Sequence, residues 1–198
     1  ALGFEHVSPY QLTIEPTTAF GRAFARRTLI PPDEDRAAFL YETTQDVLSA
    51  AGFEAYEVSN HARGPAARSS HNLHVWRGGD YLGLGPGAHG RLTLDGVRTA
   101  TVAHRRIADY VAGVSSLTPW SERDAQTPVD AAEERLLLAL RTTEGAPVAL
   151  LSALGLSAEC APVADLIADG FLMLKAERLI ATERGRPVLD GVLKALLT

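Results

Sequence analysis

Four of the six histidines fall within residues 60–90: His61, His71, His74 and His89. Each alone reads as a hydrogen-bonded or surface loop histidine. As a group they carry more weight, because loops carry function and imidazole is the commonest metal ligand. A catalytic zinc wants three protein ligands and an open position. His71 and His74 are three apart, but no HExxH-like glutamate accompanies them. A haem iron needs only one or two axial side chains against an apolar, aromatic wall. His71, with Trp76 and Tyr81 close behind it, fits that smaller requirement better.

The segment Leu82-Gly83-Leu84-Gly85-Pro86-Gly87-Ala88-His89-Gly90 follows directly. It lacks the Lys-Ser/Thr of a phosphate-binding P-loop, and Pro86 removes an N–H that a phosphate would use. Its glycines suit close approach of backbone to a flat ligand or to another strand, and a purely structural turn is an equal alternative. Glu15 and Glu57 have no partner in sequence and receive no acid–base role. Cys160, among Ala, Pro and Val, reads as inert packing.

Composition narrows the classes of function. The chain has 198 residues, 46% hydrophobic and 22% charged, the profile of a globular protein. Apolar runs such as Leu136–Leu140 are far too short to cross a bilayer, and no signal peptide is visible, so the expected location is the cytoplasm. A net charge of −5 gives no general attraction for nucleic acid or anionic membrane. The single cysteine cannot form an internal disulfide, a thiolate zinc site or an iron–sulfur cluster.

These residues need elements to hold them. His6–Ile14 is rich in β-branched and aromatic residues and reads as a buried strand. Asp33 caps a helix whose apolar positions Phe39, Leu40, Thr43, Val47 and Leu48 recur at helical spacing up to Gly52, and Phe53–Val58 is a second strand. Strand, helix and strand make a βα repeat of the α/β class. Because its first strand begins almost at residue 1, the chain is expected to be the tail of a longer sheet or barrel. Residues 60–80 show no periodicity. Asp95-Gly96 marks a hairpin, His104–Leu117 a helix, and Thr118–Pro128 a polar linker and domain boundary.

Beyond the linker, helices are expected over Val129–Arg141, Pro147–Leu154 and Val163–Ala168, strands over Phe171–Lys175 and Arg178–Thr182, and a closing helix over Val188–Leu197. That is a winged-helix-like outline. A winged helix suggests DNA binding, but residues 129–198 hold seven basic and ten acidic side chains, which favours a packing or lid module.

The runs HVSPYQLTIEPTT, AGFEAYEVSNHA and HNLHVWRGGDYLGLGPGAHG, in that order, resemble the C-terminal half of radical SAM proteins of the haem-chaperone (HemW) type. These are relatives of oxygen-independent coproporphyrinogen III oxidase. DAAEERLLLALRTTEG and DGFLMLKAERLIATERGRPVLDGVLKALL are similar to the family's C-terminal domain, so the resemblance spans essentially the whole chain. The run His71-Asn72-Leu73-His74-Val75-Trp76 resembles the HNxxYW motif of the chaperone branch, with Val75 where the motif has Tyr.

The resemblance implies an α/β fold: residues 1–120 as the last part of a partial radical SAM (β/α) barrel, and residues 121–198 as a small winged-helix-like α+β domain. It implies haem binding through His71, Asn72 and Trp76, with His71 as the iron ligand, and delivery of haem or porphyrin to acceptor haemoproteins. Arg105 and Arg106 are candidate propionate partners. It also implies S-adenosylmethionine contacts at Thr13, Ala88 and His89, largely through backbone. The [4Fe–4S] cluster and S-adenosylmethionine are expected for the full-length protein only, because the family's CxxxCxxC lies in its other half. The alternative function is that of the oxidase, decarboxylating coproporphyrinogen III; a structural or regulatory module is a third. No nucleic acid and no integral membrane segment are expected, and a homodimer is left open.

Overall fold

Residues 3–197 are described by a computed structural model, a mixed α/β arrangement with three separate three-stranded sheets, all of them antiparallel. Contacts divide the chain into two units, Ala1–Arg68 and Ser69–Thr198.

The first unit contains β1 (His6–Val7), α1 (Ala19–Ala25), α2 (Glu34–Ala50), β2 (Glu54–Glu57) and β3 (Asn60–Ala62). As the sequence predicts, Asp33 caps α2, its carboxylate accepting the Arg36 N–H at 2.8 Å, with Glu34 and Asp35 in the positive first turn. Gly52 follows the helix with a φ of +79°, the left-handed conformation that favours glycine at this stop. The expected long strand over His6–Ile14 is shorter. Only His6 and Val7 pair, because Pro9 cannot donate to a ladder and the partner β3 is three residues long.

The expected parallel βα repeat is also modified. β3 turns back from β2 and lies between β1 and β2, antiparallel to both. β1 and β2 therefore run in the same direction without touching. The apolar face predicted for α2 is not buried: Phe39 and Val47 are 53% and 60% exposed, and none of the helix's residues is buried.

The second unit contains α3 (Ser70–Trp76), β4 (His89–Leu94), β5 (Val97–Ala103), α4 (Ile107–Ser115), β6 (Trp120–Ala125), α5 (Pro128–Leu140), β7 (Ala146–Pro147), α6 (Ala149–Ala153), α7 (Ala161–Ala168), β8 (Leu172–Lys175), β9 (Arg178–Ala181) and α8 (Leu189–Leu197). The hairpin at Asp95-Gly96 is present between β4 and β5, both turn residues having positive φ as a type I′ turn requires. The stretch 60–80, expected to be irregular, holds β3, a 3₁₀ turn at Pro65–Ala67 and α3. Most of the expected linker 118–128 is β6, an edge strand pairing with β5. Its sequence, Trp-Ser-Glu-Arg-Asp-Ala, lies exposed along its whole length, so no apolar alternation announces it.

From α5 onward the expected elements appear within a few residues of their predicted ends. Thr127 and Asp130 form a capping box at the start of α5, and Pro128 occupies its first turn. Leu136 and Leu140 of α5 meet a shared core with Leu151, Val163, Leu172 and Leu179, each at most 1% exposed. Val192, Leu193 and Leu196 of α8 complete it. Sheet order here is β7-β9-β8.

Candidate functional site

The histidine-bearing segment is helical because Ser69 caps it, its hydroxyl accepting the Asn72 N–H at 3.3 Å. At about 100° per residue, His71, His74 and Val75 share one side of α3, whereas Asn72 and Trp76 share another. His71 and Trp76 thus lie roughly 140° apart around the helix. His71 is exposed and makes no hydrogen bond or ion pair among the described residues, so both ring nitrogens face water. His74 is committed: its Nε2 lies 2.7 Å from the Asp80 carbonyl, and its ring lies over Gly79, where a Cβ would sit 2.4 Å from two imidazole atoms.

Asp80 anchors the next segment. Its carboxylate accepts the Thr93 N–H at 2.6 Å and hydroxyl at 2.9 Å, and Arg98 at 3.0 Å. Burial pushes its pKa up, but the Thr93 hydrogen bonds and the Arg98 and His74 charges together hold it below its ordinary value. Arg98 also reaches the Gly78 carbonyl and Glu134. Glu134, on α5, takes a fork of bonds from Arg91, with Nε at 2.8 Å and Nη2 at 2.7 Å, and another bond from Gln126. Burial opposes its ionisation too, and the Arg91 hydrogen bond and charge outweigh it, so Glu134 also sits below the usual carboxylate range. This network ties α3, the β4–β5 hairpin and α5 into one frame. Its members are 36 and 43 residues apart in sequence, which is why no local pattern revealed them.

The glycine segment settles between the alternatives left open above. Tyr81 and Arg91 exchange backbone hydrogen bonds of 2.7 and 2.8 Å, laying residues 81–83 against β4. A Cβ on Gly83 would lie 2.5 Å from the His89 carbonyl oxygen, so these glycines admit another strand. Both backbone groups of Ala88 are already used: its N–H donates to Gly85 O at 3.2 Å and its carbonyl accepts from Ala103 at 2.8 Å. His89 is exposed at the start of β4 and free of hydrogen bonds among the described residues. Thr13 is exposed in the first unit, on the segment after β1, while Ala88 and His89 belong to the second. Arg105 and Arg106 are exposed, and Arg106 lies 3.7 Å from Asp109.

Trp76 faces a cleft of about 240 Å³ instead of His71's side of the helix. Arg77, Arg135, Glu144, Leu150 and Arg178 line the same cleft. Sequence reasoning missed it, because its walls come from α3, α5 and the segments around β7 and β9. In the first unit, the remaining loop histidine His61 is 1% exposed and bonds Gln45 at 2.9 Å, while its Nδ1 is buried with no partner among the described residues. Burial lowers its pKa, Glu57 opposes that, and His6 adds to it.

Residues 126–188 match the HemN C-terminal domain family. The chain is 40% identical over 197 residues to "Heme chaperone HemW" of Mycobacterium tuberculosis, covering 98% of this chain and 48% of that protein. It is 35% identical over 196 residues to "Heme chaperone HemW" of Escherichia coli K12, covering 97% of this chain and 50% of that protein. Over nearly its whole length the chain is thus similar to about half of each of these HemW proteins. It is also 35% identical over 208 residues to "Radical S-adenosyl methionine domain-containing protein 1, mitochondrial" of Mus musculus, covering 98% of this chain and 46% of that protein. The fold matches that of coproporphyrinogen III oxidase (HemN) from Escherichia coli with a TM-score of 0.69 at 16% identity, over 98% of this chain and 48% of that one. The chain therefore spans about half the length of the relatives it matches.

The family name implies an iron–sulfur cluster, and the residues present do not fit one. The sequence has one cysteine, Cys160, a half-buried residue at the start of α7, whereas a cluster needs several thiolates. Among the described residues no group of three or more His, Cys, Asp or Glu side chains is placed to hold a metal ion. Among the described residues, no helix is long and apolar enough to cross a membrane.

Proposed function

We propose that this chain is the haem-holding part of a HemW-type haem chaperone, and that the complete protein passes haem to acceptor haemoproteins in the cytoplasm. The observation that carries this reading is His71: the first histidine of the HNxxYW-like run projects from a capped helical turn with its ring in solvent and unpartnered. A haem held by one exposed imidazole keeps most of its perimeter accessible, which suits transfer to another protein. Holding needs affinity for an apolar macrocycle and a surface to rest it on, with no transition state to stabilise. Exposed apolar side chains are available in the same unit: Leu82 and Leu84 beside the glycine segment, at 66% and 80%, and Ile107 and Val111 on α4, at 72% and 57%. The Gly85 N–H donates to the Tyr110 hydroxyl at 3.0 Å, joining that segment to α4.

Finer assignments belong to the same proposal. Residues 1–120 would form the end of a partial radical SAM barrel, a reading supported by the common direction of β1 and β2 with helices between them. Residues 121–198 would form the winged-helix-like domain, supported by the order α5-β7-α6-α7-β8-β9. Thr13, Ala88 and His89 would edge S-adenosylmethionine in the complete protein. At Ala88 the backbone is already committed, so its contact would be through the methyl group.

The testing experiment is transfer. Haem-loaded full-length protein is mixed with an apo-haemoprotein, and the acceptor's holo spectrum is followed. Appearance of holo-acceptor at the expense of the loaded protein is the expected result. Consumption of coproporphyrinogen III with S-adenosylmethionine under anoxia, with no transfer, would overturn the proposal in favour of the oxidase.

A further inference from the structure

We propose that the Trp76 cleft is a carboxylate-recognition site that takes the propionate edge of a tetrapyrrole, with Arg135 as its principal anion partner. The tetrapyrrole rests on the function proposed above; the site itself rests on charge and shape. Three guanidiniums, those of Arg77, Arg135 and Arg178, converge on this cleft with one carboxylate, Glu144. Glu144 is neutralised by Arg77, which grips it through Nε at 2.9 Å and through Nη2. Among the described residues Arg178 donates only to the uncharged carbonyls of Glu144 and Gly145, so its positive charge is positioned and uncompensated there. Arg135 has no hydrogen bond or ion pair among the described residues, and its stem packs against Gly78, where a Cβ would lie 3.1 Å from Cγ and Nε.

Two uncompensated guanidiniums in a chain of net charge −5 mark a local reversal of sign. Planar guanidiniums suit carboxylates through paired N–H donors. The indole of Trp76, with Pro147 and Leu150, supplies an apolar and aromatic wall beside them.

Size decides which part of the ligand enters. At about 240 Å³ the cleft is smaller than the roughly 300–1,000 Å³ of sites that enclose a drug-sized ligand. It therefore holds an edge rather than a whole macrocycle. Haem and protoporphyrin IX carry two propionates on one edge, which pairs one carboxylate with each uncompensated arginine. This replaces Arg105 and Arg106 as the propionate partners. It also separates the roles within α3: Trp76 marks carboxylate recognition, and His71, on the other side of the helix, is left to iron.

The test uses metal-free protoporphyrin IX and its dimethyl ester, so that no axial ligation contributes. Binding is read as quenching of Trp76 fluorescence in the Trp120→Phe background, Trp120 being the other tryptophan. The free acid is expected to bind at least on the order of tenfold more tightly than the ester, the combined effect of two charge-assisted contacts at a solvent-facing site. Arg135→Gln, at an exposed position, should weaken that preference severalfold, the Arg178 contact remaining, and His71→Ala should leave it intact. Equal affinity for acid and ester, or an unchanged preference in Arg135→Gln, overturns the proposal. If the preference fails while haem transfer proceeds, the cleft falls and the chaperone function stands. If the preference holds and transfer fails, the reverse is true.

Discussion

Replacing Glu134 by Gln would loosen the frame that carries α3 and the hairpin. The carboxylate receives two charge-assisted bonds from Arg91, one longer contact from Arg98 at 3.4 Å and one bond from Gln126. Glu134 and Arg91 side chains are 20% and 19% exposed, and Arg98 is 9% exposed with its Nε buried and unpaired among the described residues. Removing one member of a fully buried ion pair costs about 3–5 kcal/mol, and an exposed pair is worth about 0–1. One-fifth exposure discounts the first figure, and the Gln amide keeps one acceptor, so we expect a loss of about 2 kcal/mol. For a chain of this size that lowers Tm by roughly 4–8 °C.

The loss also depends on pH, with a definite sign. The Glu134 carboxyl sits below its ordinary value in the folded protein, so it contributes stability above its unfolded pKa, near 4.3, and that contribution disappears as pH falls through the folded value. Urea unfolding at pH 7 and pH 4 checks both statements. The two proteins should differ by about 2 kcal/mol at pH 7 and converge on acidification. A difference below about 0.5 kcal/mol at pH 7, or one that widens in acid, refutes the reasoning.

Three further predictions are independent of that network's charge. Gly79→Ala places a Cβ 2.4 Å from the His74 ring, so it should cost about 1–3 kcal/mol and free His74 from the Asp80 carbonyl, a change visible in the imidazole nitrogen shifts by NMR. Leu136→Ala, at 0% exposure, should destabilise the second unit by about 2–5 kcal/mol in thermal or chemical unfolding. His61 is held below its ordinary value chiefly by burial, so the unfolded chain takes up its proton first, and stability is lost as pH falls below about 6.5. Amide protection factors in the β2–β3 hairpin, corrected for the intrinsic pH dependence of exchange, should fall between pH 7 and 5, and His61→Gln should flatten that dependence.

Where local chemistry specifies an element, the sequence revealed it. Asp33 and Gly52 bracket α2, and Asp95-Gly96 turns the hairpin, each through a cap or a positive φ that few residues satisfy. α3 was hidden because seven residues give too little periodicity, and a single serine cap nucleates it. β6 was hidden because its stability lies in backbone bonds to β5, while its side chains remain exposed. β1 was overextended because HVSPYQLTI has strand-like composition but lacks a partner long enough to pair with it. At the site, His71, Asn72 and Trp76 were legible as a motif, but their separation around α3 required the helix to be seen. The roles of Arg91, Arg98, Glu134, Arg135 and Arg178 depend on contacts between residues far apart in sequence, such as Asp80 with Arg98, Arg91 with Glu134 and Gly78 with Arg135, beyond the reach of any local pattern.

His71, exposed and unpartnered among the described residues, is the proposed ligand for haem iron. The most direct measurement is a haem titration of the protein and of His71→Ala, monitored by the Soret band. We predict a saturable shift of the band in the parent protein and its loss in His71→Ala, with fold unchanged because the side chain is exposed and unpartnered. An identical Soret shift in both proteins would contradict the ligand assignment, and no shift in either would contradict the haem-holding function.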